Sequence, residues 1–172
     1  MKQIVADVPK CLACRACEIA CALAHVEAED LVTAIAQQGA SPRIYIESAG
    51  ELAVPLQCRH CQDAPCVRVC PSGALWRPGE AEPVLVNQEK CIGCAFCVEA
   101  CPFGVIRLAS KKKAVIKCDL CAERQSAGLQ PACVCACPVG ALSWQEVATA
   151  AKQTRARTAA RVAAGGIATI YE

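Results

Sequence analysis

The chain has 172 residues, a length that suits one domain or two small ones, and 17 of these residues are cysteine. Aromatic residues make up only 3% of the sequence, so a conventional hydrophobic core would be poorly filled. The formal net charge is +2 and no apolar run approaches transmembrane length, which argues against a basic nucleic-acid-binding protein and against a direct membrane span.

The cysteine content has two possible meanings. In a short secreted chain, cysteine at this density indicates a disulfide framework. However, the N-terminal stretch MKQIVADVPKC has no apolar signal segment, and the cysteines recur at short, regular spacings. The sequence therefore predicts metal-ligating thiols in a reduced, cytoplasmic setting.

The chain opens with a predicted strand, Lys2–Asp7, that leads into the first cysteine run. This run has the spacing C-x2-C-x2-C-x3-C and comprises Cys11, Cys14, Cys17 and Cys21. The first three thiols of such a run lie on one tight loop, whereas the fourth lies a helical turn further on and points elsewhere. Because Ala22 stands where related runs have proline, we expect the helix to continue to about His25.

The segment between the first two runs is predicted to contain a helical turn and a hairpin. The helical turn is expected around Asp30–Gln37. The hairpin strands are expected at Arg43–Ser48 and Glu51–Leu56, with the turn at Ala49–Gly50.

The second and third runs lie close together in the sequence. The second has a longer, x4 gap in its middle and comprises Cys58, Cys61, Cys66 and Cys70. The third has the ferredoxin spacing C-x2-C-x2-C-x3-C-P and comprises Cys91, Cys94, Cys97 and Cys101. A short strand is predicted before the third run at Val84–Asn87. Two more are predicted after it, at Val105–Leu108 and Ala114–Lys117, with a turn at Lys111–Lys113.

The fourth run has an 11-residue gap and comprises Cys118, Cys121, Cys133 and Cys137. We expect a helical stretch over Asp119–Ser126 inside this gap. The tail is Ala-rich from Gln145 to Ala164 and is predicted to be a helix. Its apolar end, Ile167–Glu172, is expected to pack against the body of the protein or against a partner.

An internal repeat ends three of the runs. Its copies are Cys70–Leu75 (CPSGAL), Cys101–Ile106 (CPFGVI) and Cys137–Leu142 (CPVGAL). Each copy is predicted to end a ligand helix, turn at its glycine and enter a strand.

Sixteen thiolates in four runs match the ligand count of four [4Fe–4S] clusters. Because the fourth cysteine of each run must find another cluster, the runs have to pair, and the second and third are neighbours with similar endings. Their predicted ligand sets are Cys58, Cys61, Cys66 with Cys101, and Cys91, Cys94, Cys97 with Cys70. Those of the first and fourth runs are Cys11, Cys14, Cys17 with Cys137, and Cys118, Cys121, Cys133 with Cys21. Sixteen thiolates and four cores of about +2 each would bring the net charge to about −6.

This pairing predicts an α+β fold of two nested bacterial-ferredoxin-like units, built from short hairpins and short helices around cluster pairs, with a C-terminal helix. The outer unit would comprise residues 1–48 and 110–145. The inserted inner unit would comprise residues 49–109, and residues 146–172 would form the helix and a docking tail.

On all sixteen ligand positions and on the opening CLACRACEIACALAH, the chain resembles the four-cluster iron–sulfur subunits of the dimethyl sulfoxide reductase type. The resemblance covers roughly residues 2–145 and is greatest to the polyferredoxin subunits associated with CO dehydrogenase, formate dehydrogenase and hydrogenase. It implies the same nested ligand pairing. It also implies an electron-transfer subunit without a catalytic site, which relays single electrons between a catalytic subunit of one of these types and another redox partner. That second partner could be a soluble carrier or a second copy of the chain.

Two alternatives remain beside this interpretation, and the sequence excludes a third. The chain could be a free-standing soluble polyferredoxin. Structural zinc sites also use C-x2-C pairs, although triple runs followed by proline are ferredoxin patterns. A radical S-adenosylmethionine enzyme would need C-x3-C-x2-C, and the required positions hold Ala24, Gly73, Gly104 and Gly140.

Several further residues have both a functional and a structural interpretation. Cys135 is either a spare thiol packed between ligands or a substitute for Cys133, and the x3 spacing to Cys137 favours the spare thiol. His25 is either a histidine at a helix end or a ligand or proton-carrying group. Basic residues beside the ligands either raise cluster potentials or are solvated surface charges; they are Arg15, Arg59, Arg68 and Lys117.

Overall fold

The computed structural model describes residues 2–28, 30–36, 39–109 and 113–164. In chain order its strands and helices are β1 (Lys2–Ala6), α1 (Ala16–Leu23), α2 (Leu31–Ala36), β2 (Ile44–Ala49), β3 (Leu52–Gln57), α3 (Pro65–Arg68), β4 (Leu75–Trp76), β5 (Leu85–Val86), α4 (Phe96–Ala100), β6 (Arg107–Leu108), β7 (Val115–Ile116), α5 (Ala122–Ser126), α6 (Ala132–Cys135), β8 (Leu142–Glu146) and α7 (Val147–Ala163). This mixture of short strands and short helices confirms the mixed character of the predicted fold. The division into two nested units stays a prediction.

In the residues that the structure describes, every strand belongs to a two-stranded antiparallel sheet. Three pairs join neighbours in the chain, namely β2 with β3, β4 with β5, and β6 with β7. The fourth pairs β1 with β8, from Lys2 opposite Glu146 to Ala6 opposite Leu142. The Asp7 N–H extends this pairing by donating to the Ala141 carbonyl at 2.7 Å. The first and fourth cysteine runs are thereby held at the same end of one sheet.

Most predicted elements are confirmed within one or two residues, and the differences have local causes. Helix α1 ends at Leu23, two residues before the expected limit. Helix α5 begins at Ala122 rather than Asp119, because Leu120 and Cys121 have φ of 60° and 55°, a left-handed conformation that an α-helix excludes. The strands near 105–108 and 114–117 are shorter than expected. Residues 111 and 112 of the expected lysine turn lie outside the described residues.

The predicted repeat is present as a repeated turn. Gly73, Gly104 and Gly140 have φ of 62°, 61° and 61°. In each copy the glycine N–H donates to the carbonyl of the cysteine three residues earlier, at 3.3, 3.2 and 3.3 Å respectively. A left-handed turn of this kind favours glycine, which explains its recurrence behind each Cys-Pro pair.

The buried side chains form two clusters, and cysteines belong to both. One cluster comprises Ile4, Cys17, Cys21, Ile44, Ile46, Cys118, Leu120, Cys133 and Leu142. The other comprises Ala64, Cys66, Leu75, Val84, Cys97, Ile106 and Val115. Hairpin β2–β3 crosses the predicted boundary between residues 48 and 49, and it contributes Ile44 and Ile46 to the first cluster.

The tail helix is confirmed, although the predicted start, Gln145, and Glu146 belong to β8. None of the residues of α7 is buried, and Arg157 contacts Asp7 across 3.6 Å. The expected apolar end, Ile167–Glu172, lies outside the described residues. In the part of the chain that the structure describes, none of the helices combines the length and the apolar character that crossing a bilayer needs.

Candidate metal centre

The ligand loops share a backbone feature that turns their thiols inward. In each run, the residue two positions after the first cysteine has a positive φ. These residues are Ala13 (56°), His60 (48°), Gly93 (72°) and Leu120 (60°). At Gly93 the turn is also tight, because an added Cβ would lie 3.2 Å from the Lys113 carbonyl oxygen. A left-handed residue at this position curls the chain, so the cysteines on either side face a common centre.

Three pockets are each lined by four cysteines. The first pocket is lined by Cys58, Cys61, Cys66 and Cys101. The second is lined by Cys11, Cys14, Cys17 and Cys137, and the third by Cys70, Cys91, Cys94 and Cys97. Each pocket thus combines three cysteines of one run with the last cysteine of another run.

The remaining four of the sixteen predicted ligand cysteines are all buried; they are Cys21, Cys118, Cys121 and Cys133. Burial raises the pKa of the Cys133 thiol far above its ordinary value, and repulsion from the sulfurs of Cys118, Cys21 and Cys121 raises it further. The sulfurs of Cys118, Cys21 and Cys121 therefore lie within electrostatic reach of the Cys133 sulfur. This group again joins three cysteines of the fourth run with the last cysteine of the first.

Burial raises the pKa of several of these thiols, including Cys97 as well as Cys133. It raises the pKa of Cys17 and of Cys66 to about 11, and it raises that of Cys118 further still. For Cys70 burial acts in the same direction, but hydrogen bonds from the backbone of Leu75 and from nearby groups outweigh it and lower the pKa. Metal binding therefore has to displace protons from the thiols whose pKa is raised.

Backbone N–H groups donate to several sulfurs. Leu120 donates to the Cys118 Sγ at 3.4 Å, and His60 donates to the Cys58 Sγ at 3.4 Å. Ala141 and Arg43 donate to the sulfurs of Cys137 and Cys21, at 3.2 and 3.3 Å. Such donors stabilise negative charge on sulfur, and in a metal site they raise the reduction potential.

Cys135 lies apart from the four groups. It is exposed rather than packed between ligands as expected, and its Sγ makes only a long contact, 3.9 Å, to the Gln130 carbonyl oxygen. Cys133 is buried among the fourth group of sulfurs. This placement favours Cys133 as the ligand and Cys135 as the spare thiol.

An ion-paired network lies beside the buried sulfurs, and sequence reasoning singled out only one of its members, His25. Asp119 accepts hydrogen bonds from Arg43 Nη1 at 2.6 Å and from His25 Nε2 at 3.2 Å. The other ring nitrogen of His25 lies 2.7 Å from the Cys21 carbonyl oxygen. The Asp119 carboxylate and its hydrogen bonds hold the pKa of His25 well above its ordinary value, against the effect of burial.

This network also bears on the expected ligand role of His25. Ligand atoms of His25, Asp119 and Cys121 lie within 4.8 Å of one another. However, both ring nitrogens of His25 already have hydrogen-bond partners, so neither presents a free lone pair to a metal ion. The geometry supports a histidine that orients the ligand loops.

The four basic residues named from the sequence have different environments. Arg15 and Arg68 have side chains 60% and 66% exposed, and each forms an ion pair with a nearby acid, Glu18 or Asp63. Arg59 is half-buried. Lys117 is only 2% exposed, and its Nζ donates to the carbonyls of Val84 and Cys118. Lys117 is therefore not a solvated surface charge.

Sequence reasoning missed two residues at the loop of the second run, Arg77 and His60. Arg77 binds the carbonyls of His60 and Cys61 through Nη2, and so fixes the second ligand loop. His60 is 2% exposed, and burial together with the charges of Lys117 and Arg77 lowers its pKa to about 3. The only sequence signal for His60 is its position inside the C-x2-C pair of the second run.

Comparison with known proteins gives one family match and several relatives. The family model of the 4Fe-4S dicluster domain matches residues 50–147. The electron transport protein HydN of Escherichia coli (strain K12) is 38% identical over 154 residues, which cover 81% of this chain and 85% of HydN.

Two further relatives differ in length. The thiosulfate reductase electron transfer subunit PhsB of Salmonella typhi is 39% identical over 139 residues, covering 80% of this chain and 72% of PhsB. AegA of Escherichia coli (strain K12) is 43% identical over 166 residues and 91% of this chain, but the match spans only 24% of the much longer AegA.

Proposed function

Because this chain belongs to the 4Fe-4S dicluster domain family and is an iron–sulfur electron-transfer protein that binds [4Fe–4S] clusters, we propose that it is the electron-relay subunit of an oxidoreductase complex. In this role it holds four clusters and has no catalytic site of its own. The single observation that carries the proposal is the lining of three pockets by three cysteines of one run and one of another.

The four groups of cysteines support the ligand assignment that we propose. The clusters are held by Cys58, Cys61, Cys66 with Cys101; by Cys91, Cys94, Cys97 with Cys70; by Cys11, Cys14, Cys17 with Cys137; and by Cys118, Cys121, Cys133 with Cys21. Four thiolates are the usual ligand set of one [4Fe–4S] cluster, so the residues present fit the group. The buried side chains form two separate hydrophobic groups, each of which contains cysteines. These two groups support the further proposal of two nested units.

A bound [4Fe–4S] cluster supplies reversible one-electron chemistry. The chain's own residues hold the metal group, exclude water and set its electrostatic surroundings. Cys118 and Cys133 are buried, so their sulfurs are shielded from water. Backbone donors, the Lys117 ammonium and the Asp119 network set the local charge.

Exposure indicates where electrons enter and leave. Cys14 and Cys94 are the exposed members of the proposed ligand set. Their clusters therefore lie nearest to solvent, whereas the ligands of the Cys118 group are all buried. We infer that the Cys11 and Cys91 groups exchange electrons with partners and that the buried group relays between clusters.

The proposed partner is a catalytic subunit of the CO dehydrogenase, formate dehydrogenase or hydrogenase type, with a second redox partner beyond it. The name of PhsB as an electron transfer subunit supports an assembly of this general kind. The proposed compartment is the cytoplasm, because reduced thiols are needed for ligation.

Metal analysis tests the proposal directly. Protein purified without oxygen should contain about 16 iron and 16 acid-labile sulfide per chain, because four clusters of four iron atoms need sixteen thiolates. Co-purification from the native host, read by mass spectrometry, should recover a larger oxidoreductase subunit. Colourless, zinc-loaded protein would contradict the cluster assignment, and a chain that always purifies alone would favour a free polyferredoxin.

The tail is proposed to dock the partner. Helix α7 has no buried residue and carries Lys152, Arg155 and Arg161 in addition to Arg157. Deleting residues 147–172 keeps the whole of β8, so the iron content and visible absorption should stay unchanged while co-elution with the catalytic partner weakens. Size-exclusion chromatography at low and high salt measures this. Unchanged co-elution would rule out the docking role, and loss of iron would make the tail part of the fold.

A further inference from the structure

His60 lies in the loop of the second run, between two proposed ligands. It is 2% exposed and lines the same pocket as Cys58, Cys61, Cys66 and Cys101. Its φ of 48° turns the loop at this point. His60 thus lies in the wall of the space in which the proposed cluster is held.

The hydrogen bonds of His60 determine which ring nitrogen carries the proton. Nδ1 accepts the Val84 N–H at 3.0 Å, so Nδ1 has no proton. A neutral imidazole then carries its proton on Nε2. That nitrogen is buried, and it has no partner among the residues that the structure describes. A buried donor without an acceptor is rare and unfavourable, which indicates an acceptor supplied by a bound group.

We propose that the Nε2–H of His60 donates a hydrogen bond to a sulfur atom of the [4Fe–4S] cluster bound by Cys58, Cys61, Cys66 and Cys101. The inference rests on the proposed function, because it needs a cluster in this pocket. A hydrogen bond to sulfur stabilises the reduced cluster, which carries the extra negative charge, more than the oxidised one. His60 therefore raises the reduction potential of this cluster.

The other histidine of the chain, His25, provides the contrast. Both of its ring nitrogens have partners, the Cys21 carbonyl and the Asp119 carboxylate. It has no donor left for a cluster sulfur. Labelling all histidine with ¹⁵N therefore marks only two residues, of which one is proposed to bond to a cluster.

Two substitutions separate the hydrogen bond from a structural role. In His60→Asn the amide oxygen can replace Nδ1 as acceptor of the Val84 N–H, and asparagine tolerates a positive φ, but no donor remains at the Nε2 position. In His60→Gln the amide nitrogen lies near the Nε2 position and can restore the donor. A purely structural histidine would not distinguish these two variants in this way.

The first measurement is an anaerobic redox titration followed by EPR, with iron content as a check on assembly. In His60→Asn the reduction potential of one cluster should become more negative by about 59 mV. For one electron this shift is a tenfold change in the ratio of reduced to oxidised cluster. His60→Gln should lie closer to the wild type. Wild-type potentials in an iron-replete His60→Asn protein would overturn the inference.

The second measurement is pulsed EPR of ¹⁵N-histidine-labelled protein. A ¹⁵N coupling to a reduced cluster should appear in the wild type and in the His25→Gln control, and should vanish in His60→Asn. This result does not depend on whether His60→Asn assembles fully, because the wild type and the control alone can refute it. Four intact clusters without the coupling would overturn this inference alone, whereas protein without clusters would overturn the proposed function itself.

Discussion

Replacing Cys101 with serine should damage the cluster of the second run and leave that of the third run intact. Cys101 follows helix α4, which ends at Ala100, and it lines the pocket of Cys58, Cys61 and Cys66. Cys70 has the reciprocal position, in the pocket with Cys91 and Cys94. Each single substitution should therefore lower the iron content by between about one and four atoms of the expected sixteen, from one cluster only.

Double substitutions reveal which cluster each cysteine serves. If Cys58 and Cys101 hold the same cluster, Cys58→Ser combined with Cys101→Ser should lose hardly more iron than either single variant. Cys91→Ser combined with Cys101→Ser should lose the sum of the two single losses, because two independent sites are damaged. Iron analysis and EPR of the reduced proteins measure both. The reverse pattern of additivity would show that Cys101 stays on the cluster of its own run.

Cys135→Ser is the matched control for these substitutions. Cys135 lies two residues from both Cys133 and Cys137 but is exposed and outside the cysteine-lined pockets. Its replacement should leave the iron content at the wild-type value. A loss of one cluster here would assign the ligand role to Cys135 instead of Cys133.

The short-range features of the fold were predictable because they have local causes. The Cys-Pro-x-Gly repeats specify a turn through glycine at positive φ, and all three copies form it. The hairpin β2–β3 follows from two apolar, β-branched stretches around Gly50. Helix α1 is longer than α3, α4 and α6, as expected from the absence of a proline after Cys21.

Three other features were not predictable from the sequence, namely the partner of strand β1, the start of helix α5 and the burial of individual lysines. Strand β1 was expected, but nothing in Lys2–Ala6 indicates that its partner is β8, some 140 residues away. The start of α5 depends on the left-handed conformation of Leu120 and Cys121, which neither residue type favours. The burial of side chains is a third case. A lysine stands directly before the first cysteine of three runs, as Lys10, Lys90 and Lys117. The first two are exposed and the third is buried.

The difference arises from what surrounds each run. Gln57 precedes the second run, is 2% exposed like Lys117, and donates through Nε2 to the Ile4 carbonyl at 3.0 Å. Lys117 makes the corresponding contact with the Val84 carbonyl and adds one to the Cys118 carbonyl at 2.8 Å. Both residues tie the start of a ligand loop to a distant part of the chain. Lys117 also brings a positive charge into the interior, near Cys66 and His60.

Removing the charge of Lys117 should therefore lower the potentials of the clusters held by the Cys58 and Cys118 groups. A buried positive charge stabilises the reduced, more negative state. At an effective dielectric constant of about 20 and a separation of about 10 Å, one charge contributes about 1.7 kcal/mol, or roughly 70 mV for one electron. Lys117→Gln removes the charge and keeps an amide donor, like that of Gln57. Lys117→Met removes both, and should also destabilise the fold by about 1–3 kcal/mol for each carbonyl left without a donor.

The matched control is Lys90→Met, because Lys90 stands directly before Cys91 as Lys117 stands before Cys118. Lys90 is exposed, so water and salt screen its charge, and its loss should change the potentials much less. Anaerobic redox titrations of the three variants, at equal iron content, compare a buried and an exposed charge at equivalent sequence positions. Equal shifts in Lys117→Gln and Lys90→Met, or no shift in Lys117→Gln, would show that burial of this lysine does not set the potentials. A shift confined to the Lys117 variants would make this single buried ammonium a determinant of the order in which the clusters are reduced.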